Sequence, residues 1–297
     1  MLDIIVKRLS EYNYPEHAKS VIIDCAKKLD CPTFKQIIIP YNKNFDVDVS
    51  DMVAKAQIVA NDVGVNGFTA NLVLFLAMSE SLRKHYVKQG LPLDSFHGVM
   101  LDLTYKAEEC FLVQGVWGTF VSGWHVGFYK LKRFCFGRLQ FESIPFKTLY
   151  HNNQSTALPP DTLVINVHIP RSKQRLDRDL INSSYARAYE FYKERLKNEQ
   201  IVFACESWLL YPKNLEVLSE KSNLRHFIGD YQIIHSETYP DYKELWRLFD
   251  VNYDGNPDHL PQDTSLRRAY VNWLKQGLPI GFGVGLYRYE KGNLSIL

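Results

Sequence analysis

The sequence predicts a mixed α/β fold in two parts: a helical domain over residues 1–130, then a mixed β-sheet flanked by helices over 131–297. Three observations predict it. Apolar residues recur at helical spacing through most of the first 130 positions. After Lys132, runs of β-forming residues alternate with helical patterns. A chain of 297 residues, 46% of them hydrophobic, is also long enough for two cores.

In the first part, Asp51–Val63 follows Ser50, a good N-cap, and places Met52, Val53, Ala56, Val59, Ala60 and Val63 on one helical face. Asn66–Gln89 is a longer helix closed by Gly90 and Pro92, and Asp94–Leu112 continues the pattern. Lys35–Pro40 is the exception, since its Ile37–Ile39 run suits a short strand. Glycines 115, 118, 123 and 127, interleaved with Trp117, Phe120, Trp124 and Phe128, mark a close-packed crossing.

In the second part, Arg133–Phe146 reads as one strand and Asn152–Asp161 as a loop. Thr162–Ile169 is a strand stopped by Pro170, Leu176–Lys197 a helix with acidic residues first and basic residues last, and Gln200–Leu210 the next strand. Short helices follow at Asn214–Ser219 and Leu224–Ile228, a strand at Tyr231–Thr238, and a helix at Asp241–Phe249. Asn252–Asp263 is a polar loop, Ser265–Lys275 a helix, and Gly281–Tyr289 the final strand. The strand–helix–strand unit 163–210 fits a crossover between parallel strands, where ligands sit beyond the carboxyl ends.

Charge and cysteine usage exclude several classes. Thirty-five basic against 33 acidic side chains give a net +2, with no basic stripe for nucleic acid. The N-terminus lacks a signal-peptide pattern, and the longest apolar run, Leu72–Met78, falls far short of the roughly 20 residues a membrane span needs. Five scattered cysteines without a CxxC pair argue against a disulfide framework or a zinc site. The expectation is a cytoplasmic protein without a metal.

Candidate chemistry clusters in three places. A period of two along 133–146 puts Phe134, Phe136, Arg138, Gln140 and Glu142 on one face, either a pocket wall with Glu142 as base or a half-solvated strand with an Arg–Glu pair. His168 shares a face with Val164 and Asn166 near a strand's carboxyl end, where it can shuttle a proton or rest as a core histidine. The turn after it carries Arg171, Lys173, Gln174 and Arg175 ahead of a helix N-terminus, suited to a phosphate or to water. Cys205 shares a strand face with Phe203 and Ser207, and a Cys205/His168 nucleophile pair is the minority reading. The alternating Gly281, Gly283 and Gly285 admit a close backbone or ligand.

Several segments, taken in order, resemble a bacterial acyltransferase family with a helical N-acyltransferase N-terminal domain and a GNAT-like C-terminal domain. They are Gly98–Leu103, Gly115–Gly118 with Trp124, Phe136–Glu142, Val167–Pro170, Cys205–Leu210 before Pro212, and Ser222–Leu224. The resemblance implies a GNAT-like sheet and acyl transfer from an acyl-CoA to an amine on a small molecule or peptide. It also implies a splayed pair of parallel strands that admits the pantetheine arm, with the pyrophosphate on the helix after the strand 162–169. The corresponding loop, Gln174–Asp179, has no glycine, which leaves an acyl carrier protein open as donor.

On this reading Glu142 or His168 is the base, Arg138, Gln140 and Ser207 bind substrate, and Arg171, Lys173, Gln174 and Arg175 hold the donor. Two other readings stand beside it. One is a GNAT-derived binding module without catalysis; the other is a thiol hydrolase using Cys205.

Overall fold

A computed structural model describes residues 1–149, 158–172, 174–239, 241–290 and 293–295. The chain forms two compact units, one ending at Cys135 and one beginning at Phe136.

The first unit is helical: α1 (Leu2–Glu11), α2 (Glu16–Lys28), α3 (Pro32–Lys43), α4 (Val49–Asp62), α5 (Gly67–Lys88), α6 (Leu93–Gln114) and α7 (Ser122–Tyr129). Helix α4 starts two residues before the expected point. Asp48, not Ser50, is its cap and accepts from the backbone N–H of Ser50 at 3.0 Å. Asn66 caps α5 in the same way, and Gly115 ends α6 in the left-handed region at φ 69°.

The Ile37–Ile39 run is helix, not strand. Phe34, Ile37, Ile38 and Tyr41 are buried and follow i, i+3, i+4, i+7 spacing, so the helical stripe extends beyond the short window that looked β-like. Pro40 lies inside α3 and cannot donate to the carbonyl four residues earlier. In the glycine-rich crossing, Gly118 is the tight point. A side chain there would run into the backbone of Phe68 and Thr69, and Thr119 N–H donates to the Phe68 carbonyl at 2.9 Å.

The expected strand 133–146 is a hairpin of β1 (Arg133–Phe136) and β2 (Leu139–Pro145). Gly137 supplies φ 64° at the first turn position, a conformation a side chain disfavours. The reversal ends the single-face alternation. Phe136 meets Phe141 and Phe191 on one side of the sheet, while Gln140 and Glu142 face the other.

There follow β3 (Leu163–His168), α8 (Arg178–Leu196), β4 (Ile201–Ser207), α9 (Asn214–Val217), α10 (Asn223–Gly229), β5 (Gln232–Thr238), α11 (Trp246–Phe249), α12 (Ser265–Lys275), β6 (Gly281–Glu290) and β7 (Asn293–Ser295). Two expected elements are shorter than the periodicity suggested. The strand to Leu210 stops at Ser207 and becomes a 3-10 turn, Trp208–Leu210, and the helix 241–249 is a 3-10 turn, Lys243–Leu245, leading into α11. The expected loop at 152–161 lies outside the described residues up to 157.

The sheet order is β1-β2-β3-β4-β6-β5, with β7 on β6; β3 and β4 are parallel, and β2/β3, β4/β6, β5/β6 and β6/β7 are antiparallel. Helix α8 covers one face. Tyr185 packs against Phe203 and Tyr287, and Tyr192 donates to the Phe141 carbonyl at 3.1 Å. On the other face, Phe146, Leu149, Val164, Ala204, Val284 and Leu286 form a second apolar cluster. The three alternating glycines of β6 are filled from within the chain: Tyr211 and the Glu237 carbonyl lie over Gly281, Leu210 over Gly283, and the Tyr231 ring over Gly285. They accommodate the protein's own backbone and aromatic rings.

Candidate active site

Register brings the candidate base residues together. Gln140 is opposite His168 and Glu142 opposite Asn166 across β2 and β3, so Glu142 and His168 are diagonal neighbours on one face. His168 Nε2 lies 2.7 Å from Glu142 Oε1, and Asn166 Nδ2 donates to the same oxygen at 3.4 Å. Both members of the pair keep about a sixth of their side-chain surface, 17% and 16%, so they are reachable while largely shielded from water. With Glu142 ionised, the short contact requires the ring proton on Nε2. Neutral His168 then carries its lone pair on Nδ1.

The pair sits just past the end of the β3/β4 ladder. β3 stays matched to β2 as far as His168, and β4 to β6 as far as Ser207. Between themselves, however, β3 and β4 are in register only at Ile165/Phe203 and Asn166/Ala204. Beyond those positions, at their carboxyl ends and next to His168, the two parallel strands are no longer bridged to each other.

The remaining candidates fall in different places. Gln140 is buried at 2% exposure, under the pair rather than at its mouth. Arg138 is also buried and works on the chain itself: Nη1 donates to the Pro170 carbonyl at 2.9 Å and Nε to the Gln174 carbonyl at 3.2 Å. It ties the loop after β3 to the hairpin turn. Ser207 is on the opposite face from Glu142, because it is an odd number of residues from Ala204, whose partner is Asn166; its hydroxyl accepts from Leu209 N–H at 3.2 Å. Sequence alternation placed Ser207 correctly within its strand, but only the register shows which face holds the pair.

The same parity separates Cys205 from His168, which removes the nucleophile pair. Burial, with a smaller contribution from Glu206, pushes the Cys205 thiol far above its ordinary value, so it stays protonated and inert.

In the basic turn, Arg171 is held by an ion pair to Asp250, Nη2 to Oδ2 at 2.9 Å, and Arg267 reaches the same oxygen at 2.6 Å. Gln174 has an exposed side chain, Arg175 is exposed, and Lys173 lies outside the described residues. The helix terminus already carries a carboxylate, since Asp177 caps α8 by accepting from Asp179 N–H at 3.0 Å. Sequence reasoning did not identify Asn166 or Asp250 as partners. The first carried a signal, sharing a strand face with His168, whereas Asp250 is 79 residues from Arg171 and carried none.

Among the described residues, no group of three or more His, Cys, Asp or Glu is arranged to hold a metal, and no helix is long and apolar enough to cross a membrane.

The mixed sheet, with its parallel β3/β4 ladder ending beside an acid–histidine pair, has the architecture of a GNAT-like domain. Residues 134–287 match the GNAT-like C-terminal domain and residues 5–131 the N-acyltransferase N-terminal domain, and the chain belongs to the family that joins the two. No curated protein matches it. Three solved structures share the fold at 20% identity over 94% of this chain. An acyltransferase in complex with decanoyl-CoA and teicoplanin has a TM-score of 0.75 over 86% of its own length. A mutant acyltransferase in complex with octanoyl-CoA has 0.74 over 85%, and an acyltransferase in complex with CoA and 10C-teicoplanin has 0.72 over 85%.

Proposed function

We propose that the protein transfers an acyl group from an acyl-CoA to an amine by direct attack, with Glu142 and His168 acting as one base. The observation that carries this reading is the 2.7 Å contact between them beside the end of the β3/β4 ladder. An amine at neutral pH is protonated and must lose a proton before it attacks. His168 Nδ1 takes that proton, and the Glu142 carboxylate stabilises the imidazolium that forms, a division of labour worth about 10²–10⁴ in rate. The oxyanion of the tetrahedral intermediate needs N–H donors, and the main chain just past the end of the β3/β4 ladder is the candidate source.

The fold neighbours that hold decanoyl-CoA and octanoyl-CoA support a medium-chain acyl-CoA as donor, and those that hold teicoplanin support a small-molecule or peptide acceptor. In this chain the donor's phosphates fall to the turn 171–175. There Arg175 is exposed, Arg171 is shared with Asp250, and Asp177 replaces the usual free helix terminus.

The test is incubation of the full chain with octanoyl-CoA or decanoyl-CoA and a panel of primary amines, following free CoA thiol and amide product by mass spectrometry. The reading predicts amine-dependent thiol release that Glu142→Gln and His168→Asn slow by about 10²–10⁴. Saturable acyl-CoA binding with no product from any amine would instead identify a binding module without catalysis.

A further inference from the structure

His168 and Glu206 each lie two residues past the last matched pair, Asn166/Ala204, and so fall on the same face of the adjacent strands β3 and β4. Glu206 is exposed. Across β4 its partner is Val284, and two residues along β6 comes Phe282 on that same face. Tyr239 stacks on Phe282, ring centres 5.5 Å apart and planes 28° from parallel, and the His235 ring meets Phe282 edge-on at 6.1 Å. Tyr239 also lines a cavity of about 20 Å³ with Trp208, Glu244 and Tyr270. That is room for one water-sized group. Burial first, then the charge of Glu244 and to a smaller extent that of Glu206, push the Tyr239 phenol upward against the opposing charge of Arg247. Register makes Glu206 a diagonal neighbour of Phe282, so the carboxylate borders the aromatic wall on the face that also carries His168.

From this juxtaposition we infer that Glu206, Tyr239 and Phe282 form the acceptor subsite, and that the acceptor is a primary amine carried on an aromatic or extended apolar body. The inference rests on the acyl-transfer reading above and specifies its acceptor. A carboxylate beside an aromatic surface selects an ammonium joined to an apolar group, through the ion pair and through the ring face. Glu206 holds the ammonium opposite His168, and one N–H proton passes to His168 Nδ1. The freed nitrogen lone pair forms the bond to the thioester carbonyl carbon; the carbon–sulfur bond then breaks as the nitrogen, now carrying two protons and a positive charge, gives its second proton to the departing thiolate. The products are the amide and CoA.

The experiment compares 2-phenylethylamine with its neutral isostere 2-phenylethanol, binding to the full chain measured by calorimetry at low salt. The wild type should prefer the amine about fivefold. Glu206→Gln should remove most of that preference, and Tyr239→Leu should weaken both probes, the amine the more; the melting temperature of each variant is recorded alongside to exclude unfolding. Octanoyl-CoA binding is measured on the same samples and should be the same in all three. Undiminished amine preference in Glu206→Gln, or no preference in the wild type, overturns the subsite. Loss of octanoyl-CoA binding in the wild type with the amine preference intact overturns the acyl-transfer reading and leaves the cation subsite standing.

Discussion

His168 and Glu142 touch diagonally across an antiparallel pair, Nε2 to Oε1 at 2.7 Å, while the residue directly opposite each is buried Gln140 or Asn166. A proton acceptor and the group that orients it thus come from neighbouring strands of a rigid sheet. Glu142→Gln and His168→Asn should each lower kcat/KM by about 10²–10⁴. The double variant should be little worse than the more damaged single one, since the two act as a unit. Steady-state kinetics on the three variants check this; multiplicative losses would show that they work independently.

Arg138→Ala should loosen the loop after β3. Its guanidinium donates to the carbonyls of half-buried Pro170 and exposed Gln174, and losing two such charge-assisted bonds costs about 1 kcal/mol each, since water can replace the donor. Urea denaturation gives the stability change. Hydrogen exchange across 170–177 should speed up locally, whereas a uniform increase over the whole chain would indicate general damage instead.

Asp250 is shared by Arg171 and Arg267. If the turn 171–175 receives the donor's phosphates, Asp250→Asn frees a cation and tightens CoA binding a few-fold, and Arg175→Ala weakens it by a similar factor. Calorimetric titration with CoA decides; unchanged affinity in both variants would move the phosphates away from this turn.

Alkylation should leave activity intact. Burial pushes Cys110 up to about 12 and Cys205 higher still, so neither forms thiolate at neutral pH. Mass spectrometry after iodoacetamide treatment of the native protein should find both unmodified, with label confined to the partly exposed Cys25 and Cys31.

Acid should destabilise the helical unit through His125. Burial holds this histidine below its ordinary 6.5 despite Asp102 Oδ2 at 3.3 Å, so the native ring stays neutral where the unfolded ring binds a proton. Between the native and unfolded values the unfolded state carries more protons, and stability therefore falls as pH drops below 6.5. The fall in melting temperature from pH 7 to pH 5 should shrink in His125→Asn, whatever that variant's absolute stability. An identical fall in both proteins would assign the effect to other groups.

Helix and strand positions were legible in the chain where local periodicity decides them: α5, α6, α12 and β3 lie within two residues of where their apolar spacing and stop signals put them. The sequence by itself also determined the helical-then-mixed order and the family resemblance, and it singled out Glu142 and His168 as candidates, each on its own strand. What it did not carry was register. Whether Ser207 and Cys205 share the face of His168 depends on which residue of β4 stands beside Asn166, a matching made across the sheet and invisible along either strand. The Arg171–Asp250 contact likewise joins residues far apart in sequence, and the hairpin at Gly137 reverses an alternation that runs on unbroken in the letters. Periodicity is a property of one segment, whereas faces, gaps and ion-pair partners arise only when segments pack, and there tertiary structure decided which candidate residues meet.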